Sequence, residues 1–211
     1  MLGDIALSAE YEFTTDWFSR FAPVWSALLK QFPPSRILEI GSYEGRSACF
    51  IIDQCAAERA IELYCVDTWA GGVEHEREAM SAVEARFDAN VRKACEAAAH
   101  PVTVRKQKAL SHEALARHLA EGRSEAFDLI YIDGSHQAPD VLTDAVLAFR
   151  LLKVGGIVIF DDYLWSMEPR GQQDFYNMPK PAVDAFVNIF QRKLQVLGAP
   201  LYQLYARKVS A

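Results

Sequence analysis

The chain has 211 residues, 51% of them hydrophobic and 24% charged, which is enough apolar material for a packed core and too little bias for disorder, collagen or coiled coil. Its formal net charge of −6 speaks against a nucleic-acid or anionic-membrane surface, since either partner wants clustered Lys and Arg. Arg105, Lys106 and Lys108 do cluster, but on one predicted strand, where they read as a solvated edge.

That length fits one domain spanning residues 1–211, because single globular domains commonly run to about 250 residues. Cys49, Cys55, Cys65 and Cys95 show neither CxxC spacing nor a Cys/His metal pattern, so all four are expected to be reduced thiols in a cytoplasmic protein. The opening MLGDIALSAE lacks the basic and apolar regions of a signal peptide. Nowhere does an uncharged apolar run approach the roughly 20 residues of a membrane helix.

The elements follow in order. Arg36 to Ile40 (RILEI) predicts a buried strand, Gly41 to Gly45 a turn, and Arg46 to Ala57 a helix. Glu62 to Val66 is a second strand ended by Asp67; Gly71-Gly72 break the chain before a helix from Glu76 to Ala98. Val102 to Lys106 is the third strand, and Ser111 is placed to cap a helix reaching Ala120. Phe127 to Ile132 (FDLIYI) is the fourth, stopping at Asp133-Gly134. The helix from Pro139 to Leu152 carries an apolar stripe at Val141, Leu142, Ala145, Val146 and Phe149, and Gly155-Gly156 are read as its terminator. Ile157 to Phe160 is the fifth strand, followed by Asp161-Asp162. A last helix, Ala182 to Lys193, precedes Leu194–Leu197 and Leu201–Ala206, a closing antiparallel hairpin. Strands alternating with helices indicate a parallel sheet covered on both faces.

In such sheets, ligands bind outside the carboxyl ends of the strands. Acidic residues stand at the carboxyl ends of four of the five strands there, Glu39 inside the first and Asp67, Asp133 and Asp161 directly after the others, more than turn chemistry requires. Gly41-Ser42-Tyr43-Glu44-Gly45 turns tightly enough to let a ligand approach the backbone, but it is not GxGxxG. A nucleoside ligand without a pyrophosphate fits better, with Asp67 about 20 residues on to accept from ribose hydroxyls. An ordinary strand-to-helix loop accounts for the turn equally well.

ILEIGSYEGRSA (Ile37 to Ala48), CVDTW (Cys65 to Trp69), FDLIYIDGSH (Phe127 to His136) and LLKVGGIVIFDDY (Leu151 to Tyr163) together resemble the class I S-adenosylmethionine-dependent methyltransferases. The similarity is to the branch that holds catechol O-methyltransferase and the metal-dependent O-methyltransferases of sugars and secondary metabolites. It implies a Rossmann-like α/β fold with a mostly parallel seven-stranded sheet, helices on both faces and a C-terminal antiparallel hairpin. Residues 36–163 would be the cofactor-binding core, 1–35 a helical cap near the acceptor, and 164–211 a loop, helix and hairpin. By the same resemblance, Gly41, Ser42, Tyr43 and Gly45 line the methionine half of the cofactor, Glu39 reaches its amino group and Ser47 its carboxylate. Asp67, with Thr68 and Trp69 beside it, holds the ribose; Ser111 and His112 contact adenine, although Ala109 stands where relatives usually have glycine. Asp133 flanks the cofactor as well.

Asp133, Asp161 and Asp162 would repel one another in a part-buried site unless a cation neutralises them, and Mg²⁺ suits oxygen ligands. The resemblance implies that same Mg²⁺ site, with Asp162 replacing an Asn of the catechol-type relatives. Their general-base Lys is replaced here by His136, whose ordinary pKa of about 6.5 lets it accept a proton near neutrality. The expected partner is a small hydroxylated acceptor, with no nucleic acid or membrane, and a homo-oligomer is compatible with the family. Trp69, Trp165, Phe175 and Tyr176 offer aromatic surface for the acceptor, whereas Trp17 and Phe18 are read as core. A non-catalytic or metal-independent S-adenosylmethionine-binding relative is the alternative. A nicotinamide oxidoreductase shares the α/β pattern but lacks GxGxxG and a hydride-site pair.

Overall fold

The computed structural model describes residues 10–72 and 79–211. Its centre is β1 (Arg36–Ile40), buried on both faces and therefore an almost unbroken apolar run, as a central parallel strand requires. Helix α1 (Ala22–Gln31) precedes it; α2 (Arg46–Cys55), β2 (Ile61–Asp67), α3 (Val83–Ala97), β3 (Val102–Lys108), α4 (Ser111–Ala120), β4 (Phe127–Ile132), α5 (Ala138–Leu151), β5 (Leu152–Phe160), α6 (Lys180–Ile189), β6 (Leu194–Leu197) and β7 (Leu204–Lys208) follow. The seven strands lie in the order β3-β2-β1-β4-β5-β7-β6. The first five are parallel, and β7 enters antiparallel between β5 and β6. The predicted α/β sheet with a closing hairpin is thus the observed fold.

Two apolar layers cover the sheet. One gathers Trp25, Phe50, Ile51 and Phe87 from α1, α2 and α3 over Ile37, Leu129 and Ile159; the other gathers Leu115, Phe149 and Phe186 from α4, α5 and α6 over Leu38, Ile130 and Val158. Because side chains alternate along a strand, odd-numbered positions of β1, β2, β4 and β5 face the first layer. The chain order reverses between β1 and β4, and β1 ends in Gly41 against the backbone of Asp133 and Gly134. Gly41 has φ +81°, and a β-carbon there would stand 1.8 Å from the Asp133 carbonyl oxygen, so only glycine allows the two strand ends to cross.

Several boundaries differ from those the sequence suggests: Ser111 does not cap α4 but is its first residue, with Leu110 at the N-cap and no side-chain cap bond, and the last helix runs Lys180–Ile189 instead of Ala182–Lys193. The predicted helix Glu76–Ala98 begins as a helix at Val83 after a 3₁₀ turn over Ala79–Ala82; its first residues lie outside the described ones. Gly155-Gly156 do not terminate α5 but lie inside β5, which starts at Leu152; the β4–β5 register shifts between Phe127 and Leu129, and Gly155, at φ +91°, supplies the bend. The last strand lies at Leu204–Lys208 instead of Leu201–Ala206, because Pro200 to Gln203 form the turn. The basic run on β3 is indeed a sheet edge, paired with Glu62, Glu84 and Asp88.

Buried Lys208 is the one cation that enters the core among the described buried residues. Its ammonium donates to Glu125 Oε1 (2.9 Å), the Phe149 carbonyl (3.0 Å) and the Leu152 carbonyl (2.8 Å), closing the C-terminal end of α5.

Candidate active site

The face rule collects the polar groups. Glu39, Asp67, Tyr131, Asp133 and Asp161 are all odd-numbered, so they stand on the α1–α3 side at the carboxyl ends of four strands. Glu39 is fully buried. Its Oε2 accepts from the Ser42 hydroxyl (2.5 Å) and its Oε1 from the Ser47 hydroxyl (2.6 Å). Burial outweighs these bonds and pushes the carboxyl up to about 7, with neighbouring Asp67 adding to the rise. Ser47 thus faces Glu39 across the base of the turn.

Asp67 braces the turn. Its Oδ2 accepts from the Ser42 and Tyr43 amides (both 2.8 Å) and its Oδ1 from the Trp69 amide (2.7 Å). A carboxylate offers roughly four acceptor sites, so roughly one is left for a ligand hydroxyl. Trp69 is buried against Phe87, and its indole N–H donates to the Tyr43 carbonyl (3.0 Å), so it supports the turn from behind and offers the acceptor no surface. Thr68 bonds forward to the Ala70 amide (3.2 Å). Tyr43 and Gly45 both have positive φ, at 46° and 82°. Beyond Asp67, whose carbonyl takes the Ala109 amide (3.1 Å), the chain leads to Ser111 at the start of α4; His112 beside it is exposed.

Glu44 at the tip of the turn points away from the strand ends. It is buried and accepts from the Thr14 amide (2.6 Å), the Thr14 hydroxyl (2.7 Å) and Arg86 (3.0 Å). Asn90 adds bonds to the Glu12 backbone and the Glu44 carbonyl, so residues 10–18 lie as an extended strap across the turn. Trp17 belongs to this strap: at 57% exposure it is not core, as the sequence suggested, but packs its ring 5.1 Å from that of Tyr43. Phe18 is core, packed on Trp25 and Phe50.

The acids after β4 and β5 form the second half of the site. Asp133, His136 and Asp162 each offer one ligand atom, all within 4.8 Å of one another. His136 Nε2 lies 2.9 Å from Asp162 Oδ2, and the imidazole stacks on Trp165 at 4.3 Å between ring centres. Asp162 has φ 49°, a left-handed conformation that Asp tolerates, and its carbonyl accepts the Trp165 amide (2.8 Å). Asp161 is turned inward instead, accepting from Gln203 Nε2 (2.9 Å), and the Tyr131 hydroxyl stands between Asp161 and Asp133 (3.0 Å), with one proton for the two acids to share. Gln203 is held in turn by the Trp25 indole (2.8 Å) and the Tyr205 hydroxyl. Burial and the two neighbouring acids hold Asp133 well above the usual carboxylate range, and burial with Asp162 raises Asp161 to about 6. Phe175 and Tyr176 are exposed on the loop before α6.

Tyr131, Gln203 and Asp144 carried no role in the sequence reading, and Glu44 entered it only as a member of the ligand turn. Tyr131 is the polar-tipped member of FDLIYI, and Asp144 is a charge on the buried stripe between Val141 and Ala148, so both had a signal. Gln203 had none, because its place depends on how the hairpin inserts.

Residues 38–163 match the family model described as a methyltransferase domain, and the chain belongs to that family. Its architecture is that of the class I methyltransferases. An O-methyltransferase from Bacillus cereus, solved with SAH, is 17% identical with a TM-score of 0.62, over 93% of this chain and 84% of that one. MycE of the mycinamycin pathway, solved with Mg and SAH, is 17% identical with a TM-score of 0.61, over 92% of this chain and 51% of that one. TomG from Streptomyces achromogenes, solved with SAM, is also 17% identical with a TM-score of 0.61, over 90% of this chain and 80% of that one. The uncharacterized protein R132 of Acanthamoeba polyphaga mimivirus is 28% identical over 107 residues, 47% of this chain and 44% of that protein, so the chain spans less than half the length of this curated relative. No helix among the described residues is long and apolar enough to cross a membrane.

Proposed function

We propose that the protein transfers a methyl group from S-adenosylmethionine to a hydroxyl of a small molecule, with a divalent cation, Mg²⁺, at the acidic cluster. The observation that carries this reading is the meeting of two halves at one strand-end crossing. The Gly41–Gly45 turn with Glu39 and Asp67 lies on one side, and Asp133, His136 and Asp162 lie on the other. MycE, which carries Mg, SAH and mycinamycin VI in its complex, supports the choice of metal and of a small-molecule acceptor.

Glu39 is placed for the ammonium of the methionine moiety, since a buried carboxyl gains most from a cation brought to it. Asp67 has one acceptor site for ribose, and Ser111 and His112 stand at the adenine end. The donor set fits a hard cation through the oxygens of Asp133 and Asp162, with Asp161 adding a third negative charge behind them. When bound, the metal lowers the pKa of an acceptor hydroxyl. His136, paired with Asp162 through Nε2 (2.9 Å), then serves as the base that takes the hydroxyl proton. The stacked Trp165 fixes the ring's plane.

The test combines activity and metal affinity. The intact chain is supplied with labelled S-adenosylmethionine and a panel of catechols and glycosides, with Mg²⁺ or with EDTA, and Mn²⁺ binding is followed by electron paramagnetic resonance. We expect EDTA to abolish transfer, His136→Ala to lower kcat about 100-fold or more while Mn²⁺ affinity holds, and Asp133→Asn to lose both. Equal turnover with EDTA and in His136→Ala refutes the reading.

A further inference from the structure

Two segments far apart in the chain meet at the rim of the candidate site. The first is the 3₁₀ turn Ser19–Phe21 with the start of α1 behind it. The second is the turn before β7, which the antiparallel pairing of Leu204 with Phe160 brings to the carboxyl end of β5. The Trp25 indole clamps the two together through Gln203 (2.8 Å), and Gln203 reaches on to Asp161 (2.9 Å). Over this clamp lies Arg20, its guanidinium carbon 4.0 Å from the centre of the Tyr202 ring and 4.6 Å from that of Phe21. The Tyr202 carbonyl accepts the amide of Tyr163 (3.0 Å), the residue after Asp162. Tyr202 is thus tied to both acids that follow β5, through its neighbour Gln203 and through its own backbone.

Arg20 holds a place at the site without an acid to hold it. It is exposed and pairs with no carboxylate among the described residues. Asp16, the nearest acid in the chain, is engaged by the Ser19 amide (3.0 Å) and by Arg46 (3.6 Å). We propose that Arg20 is a specificity residue that binds a carboxylate on the acceptor, so that the preferred substrates are hydroxylated acids. The inference rests on the methyl-transfer reading above. A guanidinium carries five N–H donors in a planar fork that matches the two oxygens of a carboxylate. Packing on two rings steadies that fork and leaves its donors for a partner, so less side-chain freedom is lost when the partner arrives. The charge layout also orients the acceptor. Asp133, Asp161 and Asp162 repel an anionic group, which therefore seeks the rim at Arg20 and leaves the hydroxyl end toward the acids. One charge-assisted contact on an exposed side chain favours the acid over a neutral analogue by about tenfold.

The test uses acceptor pairs that differ only in the acidic group: 3,4-dihydroxybenzoate against 3,4-dihydroxybenzamide, and phenyl glucuronide against phenyl glucoside. Each is given to the intact chain with Mg²⁺ and labelled S-adenosylmethionine. The wild type is expected to favour the acid of a pair by about tenfold in kcat/KM. In Arg20→Gln the ratio should fall to about one, through a rise in KM for the acid. Lys30→Gln removes the same charge at the far end of α1 and should keep the wild-type ratio. Equal use of acid and neutral partner by the wild type overturns the proposal alone. So does a ratio within twofold of wild type in Arg20→Gln, or an equal loss in Lys30→Gln, which would trace the preference to net charge. Turnover of no acceptor overturns it as well, and calorimetry with S-adenosylhomocysteine then tells whether the cofactor reading falls with it.

Discussion

Burying Glu39 makes a quantitative statement about pH. Its carboxyl, ordinarily at 4.5, stands at about 7 in the folded chain, chiefly because burial penalises the charged form more than Ser42 and Ser47 stabilise it. A raised carboxyl binds its proton more tightly when folded than when unfolded. Its contribution to stability is therefore full below pH 4.5 and is lost as pH rises through about 7. At about 1.4 kcal/mol per pKa unit, the loss across that window is about 3 kcal/mol, and for a chain of this size it corresponds to a melting shift of roughly 6–12 °C. Asp144 and Asp161 are raised in the same sense, so the wild-type curve alone does not isolate Glu39. The difference between wild type and Glu39→Gln does, because the amide has no charge to acquire. Thermal melts of both chains at half-unit steps from pH 4.5 to 8.5 should show Glu39→Gln gaining several degrees on wild type as pH rises. A ligand ammonium should reverse the penalty: at pH 6, S-adenosylhomocysteine binding should release a proton in wild type and none in Glu39→Gln, read by calorimetry in buffers of different ionisation enthalpy. A wild-type-to-variant melting difference that stays constant across the range would refute the reasoning.

Three substitutions probe the frame around the site. Gly41→Ala forces a β-carbon into the Asp133 carbonyl at a positive φ, so a stability loss of about 3 kcal/mol and collapse of cofactor binding are expected in urea titration and calorimetry. Glu44→Ala leaves Arg86 with Glu12 alone and frees the strap over residues 10–18; about 2 kcal/mol of stability should go, and limited proteolysis should cut the strap before the core. Lys208→Met leaves the Phe149 and Leu152 carbonyls unmet and Glu125 without its partner, and should lower stability by about 3 kcal/mol with cofactor affinity intact, measured by melting and calorimetry.

Much of this architecture is legible in the chain itself, for definite reasons. RILEI and FDLIYI read as central strands because burial on both faces permits almost nothing polar, and the residues that break the rule, Glu39 and Tyr131, are the ones that face the site. Period-two alternation puts Glu39, Asp67, Asp133 and Asp161 on one side once the strands are parallel and in register. Asp162 is of the opposite parity and reaches the cluster through a left-handed turn that no local pattern announces. Glu44 looked like part of the ligand turn, yet its partners lie 30 and 42 residues away. Gly155-Gly156 looked like a helix stop because glycine serves equally for a bulge within a strand. Long-range partners, not local preference, decide all three.

The chain of bonds from Trp25 through Gln203 to Asp161 has a consequence for what counts as the working unit. The family match ends at residues 38 and 163, but Trp25 precedes it and Gln203 follows it, and they meet over the inward oxygen of Asp161. The recognisable segment is therefore a sequence module without being a mechanical one. A graft of residues 38–163 onto another scaffold would carry the acids and leave behind the clasp that aims one of them, so relatives can keep these motifs while differing in how firmly that acid is held.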